Sequence, residues 1–141
     1  MDNLQPFHLA IPVRNLAKAQ KFYKHTLGLS EGRSSEQWVD FNFFGHQFVI
    51  HEDKNHSPKL PTNAVDDKAV PIPHFGVVLS WEDFHQFAQK LQEKKVSFQI
   101  EPYIRFKGKV GEQATMFFYD PSGNALEFKA FKNQSQLFAK N

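Results

Sequence analysis

The sequence repeats one order of predicted elements, and this duplication constrains the fold more than any other feature. In the first half, alternating apolar residues predict a strand over 7–13. A helix over 16–27 follows, with Asn15 as its N-terminal cap and Gly28 as its end. Three further strands are predicted at 29–32, 37–44 and 47–51.

The second half repeats this order after a stretch without periodicity. The residues PHFGVVLS at 73–80 alternate like the opening strand, and a helix is predicted over 81–94 with Ser80 as its cap. The predicted strands that follow lie at 96–100, 103–107, 115–119 and 125–131. Because one such unit cannot bury its sheet face alone, the two halves are expected to form one fold together.

The expected architecture is a single α+β domain of 141 residues. Two modules are predicted to lie side by side as a curved mixed sheet around a cleft, with helices outside. Module one covers 5–52, a linker 53–71, module two 72–131 and a polar tail 132–141. The linker contains prolines and charges without a sustained period, which predicts a loop that could close over the cleft.

Composition excludes several classes of function. The 17 basic and 15 acidic residues give a net charge of +2 without a basic run, which disfavours a nucleic-acid or anionic-membrane partner. The chain has no cysteine, so disulfides and thiolate metal sites are excluded. No segment approaches the roughly 18 apolar residues of a membrane span, and the start lacks the features of a secretory signal. A soluble, cytoplasmic protein is therefore the default expectation.

Four titratable residues occupy equivalent places in the two halves. His8 and His74 open the first strand of each half, whereas His51 and Glu127 lie in the last. Strand parity places each of them on the less apolar face, because bulky apolar residues alternate with them. An imidazole or carboxylate there is costly to bury without a partner, and a shared cation would offset that cost. The repeat therefore predicts a metal site.

Three segments carry a family resemblance over nearly the whole chain. They are FHLAIPVRNLAKAQKFYKHTLGL at the start, PHFGVVL in the middle and FFYDPSGNALEF near the end, in which Asp120-Pro-Ser-Gly123 precedes Glu127. Together they resemble the vicinal oxygen chelate superfamily of glyoxalases, extradiol dioxygenases, and fosfomycin- and bleomycin-resistance proteins. The resemblance implies paired βαβββ modules, with His8, His74 and Glu127 as ligands of one divalent cation.

Within that superfamily, two histidines and one carboxylate suit non-haem Fe2+, with open positions for substrate and oxygen. The resemblance therefore favours an extradiol-type dioxygenase that cleaves a catechol-like ring, with His51 as its acid–base residue. Arg105, Phe117 and Tyr119 are the expected substrate contacts, Arg105 through a substrate carboxylate. Phe117 stands where the extradiol signature has tyrosine, and 107–115 lacks the histidine of that signature.

Two other functions stay open. A glyoxalase-like lyase or isomerase would use His51 as a fourth ligand, and Zn2+, Ni2+ or Mn2+ would then be alternatives to Fe2+. A bleomycin-resistance-type protein would bind a drug without metal. The resemblance also leaves open a homodimer, in which the site lies within one chain or is shared between two.

Overall fold

The chain folds into two compact units, and the computed structural model describes residues 4–59 and 61–140. Unit 1 comprises Met1–Pro58 and Asp120–Asn124. Unit 2 comprises Lys59–Tyr119 and Ala125–Asn141. None of the helices in the described residues is long and apolar enough to cross a membrane.

Unit 1 is one sheet with one helix. Its elements are β1 (His8–Val13), α1 (Leu16–Lys21), a π-helical continuation (Phe22–Thr26), β2 (Ser30–Ser34), β3 (Trp38–Phe43) and β4 (His46–Glu52). The sheet order is β1-β4-β3-β2. β1 runs parallel to β4, and the other two pairs are antiparallel.

One face of this sheet is buried against the helix. Tyr23, from the π-helical continuation, is fully buried and its ring lies 4.9 Å from that of Phe48. The helix begins as predicted, because Asn15 Oδ1 accepts from Lys18 N at 3.0 Å. The Glu52 carboxylate accepts from Leu16 N at 3.1 Å. Glu52 is thereby engaged in capping a helix, where a carboxylate is favourable.

Unit 2 has the same order of elements after an added hairpin. The elements are β5 (Thr62–Val65), β6 (Lys68–Pro71), β7 (His74–Phe75), β8 (Val78–Leu79), α2 (Trp81–Glu93), β9 (Phe98–Arg105), β10 (Gln113–Tyr119), β11 (Ala125–Phe131) and a 3-10 turn (Gln134–Gln136). Its main sheet has the order β7-β11-β10-β9, and β8 also pairs with β11. β7 and β8 run parallel to β11, and the remaining pairs are antiparallel.

The two sheets therefore share one topology, which confirms the duplication and the α+β class. The parity predicted for β11 is also confirmed, because Leu126 and Phe128 are fully buried while Glu127 is not. Phe128 stacks on Phe118 at 5.9 Å, and Phe87 of α2 covers it at 4.9 Å. A curved sheet and cleft formed by both modules together stay a prediction.

The prediction of a loop throughout the linker is wrong. Residues 62–71 form the antiparallel hairpin β5–β6. Asp66 and Asp67 make its two-residue turn with φ angles of 51° and 60°. Positive φ at both turn positions is the geometry that matches the twist of a hairpin, and aspartate tolerates it better than most residues. The role of this segment as a lid stays a prediction.

The division of the chain into strands also differs from expectation at two places. The strand predicted over 73–80 is divided at Gly76 into β7 and β8. The strands predicted at 96–100 and 103–107 are one element, β9, whose pairing with β10 shifts register around Phe117. Such an irregularity keeps a strand continuous while its pairing changes.

The turn Asp120–Asn124 is held by hydrogen bonds within unit 1. Both oxygens of the buried Asp120 carboxylate accept: Oδ1 from Ser122 N at 2.8 Å and Asn124 N at 2.9 Å, and Oδ2 from Tyr23 Oη at 2.8 Å. Arg14 N donates to Ser122 Oγ at 2.9 Å. These bonds tie the turn at residues 120–124 to the strand and helix at the start of the chain.

Candidate metal centre

His74 and Glu127 form the chemical centre of unit 2. The parallel pairing of β7 with β11 sets His74 opposite Ala125, two residues before Glu127 on the same face. His74 Nε2 lies 3.0 Å from Glu127 Oε1. The structure thus brings together two of the three predicted ligands.

The other Glu127 oxygen is held by two further residues. Thr115 Oγ1 donates to Oε2 at 2.5 Å, and Lys129 Nζ lies 3.4 Å from the same oxygen. Burial raises the pKa of the Glu127 carboxyl, but the hydrogen bonds from His74 and Thr115 and the charge of Lys129 outweigh it. The pKa of Glu127 therefore lies below its ordinary value, and the group stays an anion.

His74 is fixed from its other nitrogen. Nδ1 lies 2.8 Å from the carbonyl oxygen of Pro71, which can only accept, so Nδ1 donates and Nε2 faces Glu127. The hydrogen bond with Glu127 raises the pKa of His74 above its ordinary value, although burial lowers it. The Phe117 ring packs edge-on against the imidazole at 5.1 Å.

Glycine at position 76 allows this pairing. A Cβ atom there would overlap the carbonyl oxygen of Glu127, so no larger residue fits beside the β11 backbone. A cavity of about 240 Å³ lies at the same place, lined by His74, Glu127, Lys129 and residues 75–78.

His8, the third predicted ligand, lies in unit 1. It is exposed on β1, and its Nδ1 lies 2.8 Å from Gln47 Oε1 on β4. Gln47 Nε2 in turn lies 3.4 Å from Asp40 Oδ2 on β3. A hydrogen-bonded row across three strands therefore supports the ring.

The donor set fits a divalent cation. Imidazole nitrogen and carboxylate oxygen are ligands for Zn2+ and Fe2+. The 3.0 Å between His74 Nε2 and Glu127 Oε1 is a hydrogen-bond distance, so a bound cation would replace the proton that the two atoms share. Among the described residues of one chain, no group of three or more His, Cys, Asp or Glu side chains is placed to hold a metal ion. The three-ligand site stays a prediction.

The predicted catalytic residue, His51, lies in unit 1. It is exposed on β4, where it pairs with Pro12 of β1 and Trp38 of β3. Among residues 4–59 and 61–140, no hydrogen bond to its side chain identifies it as an acid–base residue or as a ligand. Both roles stay predictions.

The predicted substrate contacts lie in unit 2 in different surroundings. Arg105 Nε donates to Asp66 Oδ2 at 2.6 Å, and Tyr103 Oη donates to the same oxygen at 3.0 Å. Phe117 packs on His74, as above, and Tyr119 is half-buried at the end of β10. The guanidinium expected to face a substrate carboxylate is thus bound by a carboxylate of the chain itself.

Sequence reasoning missed three supporting residues, which are Thr115, Gln47 and Asp66. The register of β10 with β11 and of β1 with β4 would have found the first two, since cross-strand neighbours share a face. Asp66 could have been found only if the hairpin that contains it had been predicted. In sequence its signal is the pair Asp66-Asp67 between two short apolar runs.

Comparison with known proteins gives a consistent result. A sequence model of the Glyoxalase/Bleomycin resistance protein/Dioxygenase superfamily matches residues 5–128. Metallothiol transferase FosB of Staphylococcus haemolyticus is 25% identical over 130 residues, which are 92% of this chain and 86% of that protein. A glyoxalase/bleomycin resistance protein/dioxygenase of Alicyclobacillus acidocaldarius has a similar structure, with a TM-score of 0.81, 29% identity, and 98% and 100% of the two chains covered. The lactoylglutathione lyase of Agrobacterium tumefaciens has a TM-score of 0.66, 14% identity, and 99% of both chains covered.

Proposed function

Because the chain belongs to the Glyoxalase/Bleomycin resistance protein/Dioxygenase superfamily, we propose that it is a metal-dependent enzyme. Its substrate is a small molecule that binds the cation through vicinal oxygens. The observation that carries this proposal is the His74–Glu127 pair, 3.0 Å apart beside a cavity. Each partner of the pair is also oriented by a second hydrogen bond, from Thr115 or to Pro71.

His8, His74 and Glu127 are the proposed ligands. His8 belongs to unit 1, so it would come from unit 1 of the same chain or from unit 1 of a second copy in a homodimer. Mixing the His8→Ala and Glu127→Ala variants decides between these arrangements. A mixed dimer regains one complete site only if the site is shared between chains.

The first candidate reaction is redox-neutral, either a group transfer or a glyoxalase-like lyase or isomerase step. It is supported by the FosB relative, which is named a metallothiol transferase. A bound divalent cation would polarise a substrate oxygen. Of the chain's own residues, Glu127 supplies a fixed anion, and the proposed role of His51 is to carry a proton.

The second candidate is the extradiol-type dioxygenase. The specific observation in its favour is the proposed set of two histidines and one carboxylate, which suits Fe2+. Phe117 weakens it, because the residue that packs on His74 has no hydroxyl with which to handle a proton. We therefore place it second.

Arg105 is the proposed contact for an anionic group of the substrate. Its Nε binds the Asp66 carboxylate in this structure, so a substrate anion would have to take the place of that carboxylate. Phe117 and Tyr119 are proposed as apolar and aromatic contacts of the same substrate.

Elemental analysis of anaerobically purified protein, followed by two assays, tests the proposal. Nickel, zinc or manganese with turnover of a hemithioacetal, or of a thiol with an electrophile, supports the redox-neutral reaction. Iron with oxygen uptake on a catechol panel supports the dioxygenase. A metal-free protein that retains no added cation, but binds an organic drug tightly, would overturn the proposal in favour of a sequestering protein.

A further inference from the structure

Asp40, Gln47 and His8 form a row of hydrogen bonds across the sheet of unit 1. The parallel register of β1 with β4 sets His8 directly beside Gln47. His8 Nδ1 lies 2.8 Å from Gln47 Oε1, and Gln47 Nε2 lies 3.4 Å from Asp40 Oδ2. Nothing in the proposed reaction requires Gln47 or Asp40, so their arrangement calls for another explanation.

The carboxylate of Asp40 determines which group donates and which accepts in each hydrogen bond of this row. A carboxylate only accepts hydrogen bonds, so Asp40 must face the amide NH2 group of Gln47. The amide oxygen of Gln47 then faces His8, and it too only accepts. The imidazole must therefore donate from Nδ1, which leaves Nε2 of the neutral ring with its lone pair.

A lone pair on Nε2 is what a metal ligand needs. A ligating imidazole typically donates its other N–H to an oxygen acceptor, and this fixes both the tautomer and the orientation of the ring. His8 is an exposed residue of β1, so a cation could reach its ring. His74 shares only the first half of this arrangement: its Nδ1 donates to the carbonyl oxygen of Pro71, while its Nε2 faces the Glu127 carboxylate.

We propose that Gln47, oriented by Asp40, is a positioning residue that fixes His8 as the Nδ1–H tautomer and presents Nε2 to the divalent cation. The inference rests on the proposed function for the identity of the cation. The tautomer is a property of the metal-free protein, and it can be measured without any substrate.

His46, which directly precedes Gln47, serves as an internal control because its Nδ1 has the opposite hydrogen-bond role. Its Nδ1 accepts from Phe7 N at 2.8 Å, so its proton must lie on Nε2. Long-range 1H–15N correlation spectra of the metal-free protein, in slightly alkaline buffer, distinguish the two tautomers. We expect His8 to be protonated at Nδ1 and His46 at Nε2.

Two substitutions test the role of Gln47. Gln47→Leu keeps the size of the side chain and removes the acceptor, so His8 should move toward the Nε2–H tautomer while His46 stays unchanged. Gln47→Glu keeps an acceptor for Nδ1 and should preserve the tautomer of His8. Zinc affinity, measured by titration of each metal-free protein, should fall about 10- to 100-fold in Gln47→Leu and stay nearer to that of the parent in Gln47→Glu.

The outcomes separate this inference from the proposed function. An Nε2–H tautomer of His8 in the parent protein would overturn the inference. Zinc binding by the parent with the same affinity in Gln47→Leu would also overturn it, while leaving the metal site intact. Absence of zinc binding in the parent, with His8 still protonated at Nδ1, would reject the metal site on which both proposals depend.

Discussion

The Tyr23 hydroxyl donates to the Asp120 carboxylate at 2.8 Å, and both groups are buried. Ninety-seven positions separate the two residues in the sequence, yet both belong to unit 1. Burial, and then the charge and hydrogen bond of Asp120, raise the pKa of the Tyr23 phenol well above its ordinary value. The phenol is therefore a permanent donor to this turn.

This bond predicts a graded loss of stability. Tyr23→Phe should lower the free energy of unfolding by about 1 kcal/mol, because Asp120 keeps its other donors. Asp120→Ala should cost about 3 kcal/mol, because it strands a buried hydroxyl and backbone N–H groups of the turn. Denaturant unfolding measures both, and equal losses would contradict the role given to Asp120.

Substitution of Gly76 should be far more damaging than its small size suggests. Gly76→Ala would force a Cβ atom into the carbonyl oxygen of Glu127, so the β7–β11 pairing must shift. We expect a loss of about 3 kcal/mol or more in the free energy of unfolding. Gly32→Ala is the matched control, because its Cβ would meet Asp40 Cβ at an ordinary 3.4 Å. Similar effects of the two substitutions would refute the steric argument.

The proposed ligands predict a simple pattern of metal content. His8→Ala, His74→Ala and Glu127→Ala should each abolish retention of the cation while the fold, followed by circular dichroism, stays intact. His51→Ala should retain the metal and lose activity, as expected of an acid–base residue. Loss of metal in His51→Ala would instead make it a ligand, and normal metal content in the other three variants would contradict the site.

Thr115 should support the site without binding the cation itself. Thr115→Val removes the hydroxyl that donates to Glu127 Oε2 and keeps the shape of the side chain. Affinity for the divalent cation should fall about 10-fold, because the carboxylate loses part of its orientation. Thr115→Ser retains the hydroxyl and should bind nearly as well as the parent, as titration with zinc would report.

The hydrogen bond between Tyr103 and Asp66 of the hairpin predicts how the pKa of Tyr103 responds to a substitution of Asp66. Burial, and then the hydrogen bond and charge of Asp66, raise the pKa of Tyr103 from 10.0 to about 12. Asp66→Asn removes the charge, so the pKa of Tyr103 should fall while staying above its ordinary value, since burial remains. Tyrosinate absorbance during an alkaline titration measures this shift, with Tyr103→Phe to identify the transition.

The same shift has a consequence for stability. The folded-state pKa of Tyr103 is higher than that of an unfolded chain, so the stability it contributes is complete below a pH of about 10. It is lost as the pH rises toward about 12. In Asp66→Asn the loss should be smaller over that window. An unchanged alkaline unfolding profile would argue against the Asp66 contact in solution.

The sequence predicted the parts of the fold that depend on periodicity. Apolar alternation and helix caps located β1, α1, α2 and β11, and the repeat placed His74 in the first strand and Glu127 in the last strand of the second half. These features depend on local residues, and each buried face is visible as a spacing of apolar side chains.

Features set by contacts distant in sequence were not predictable in the same way. Gly76 divides a strand because of the backbone of Glu127, 51 positions later (127 − 76). The hairpin turn at Asp66 lacked the glycine that usually marks such turns. The row from Asp40 to His8 depends on side-chain rotamers across three strands, which no spacing rule gives.

The inclusion of Asp120–Asn124 in unit 1 has a consequence for the order of events during synthesis. A ribosome releases the chain from its N-terminus, so the first module emerges long before residues 120–124 exist. Until then the Tyr23 hydroxyl has no Asp120 to bind, and the backbone of Arg14 has no Ser122. Maturation of the first module therefore waits for translation of residues 120–124, and a nascent chain halted before residue 120 should be more open to proteases than one that includes them.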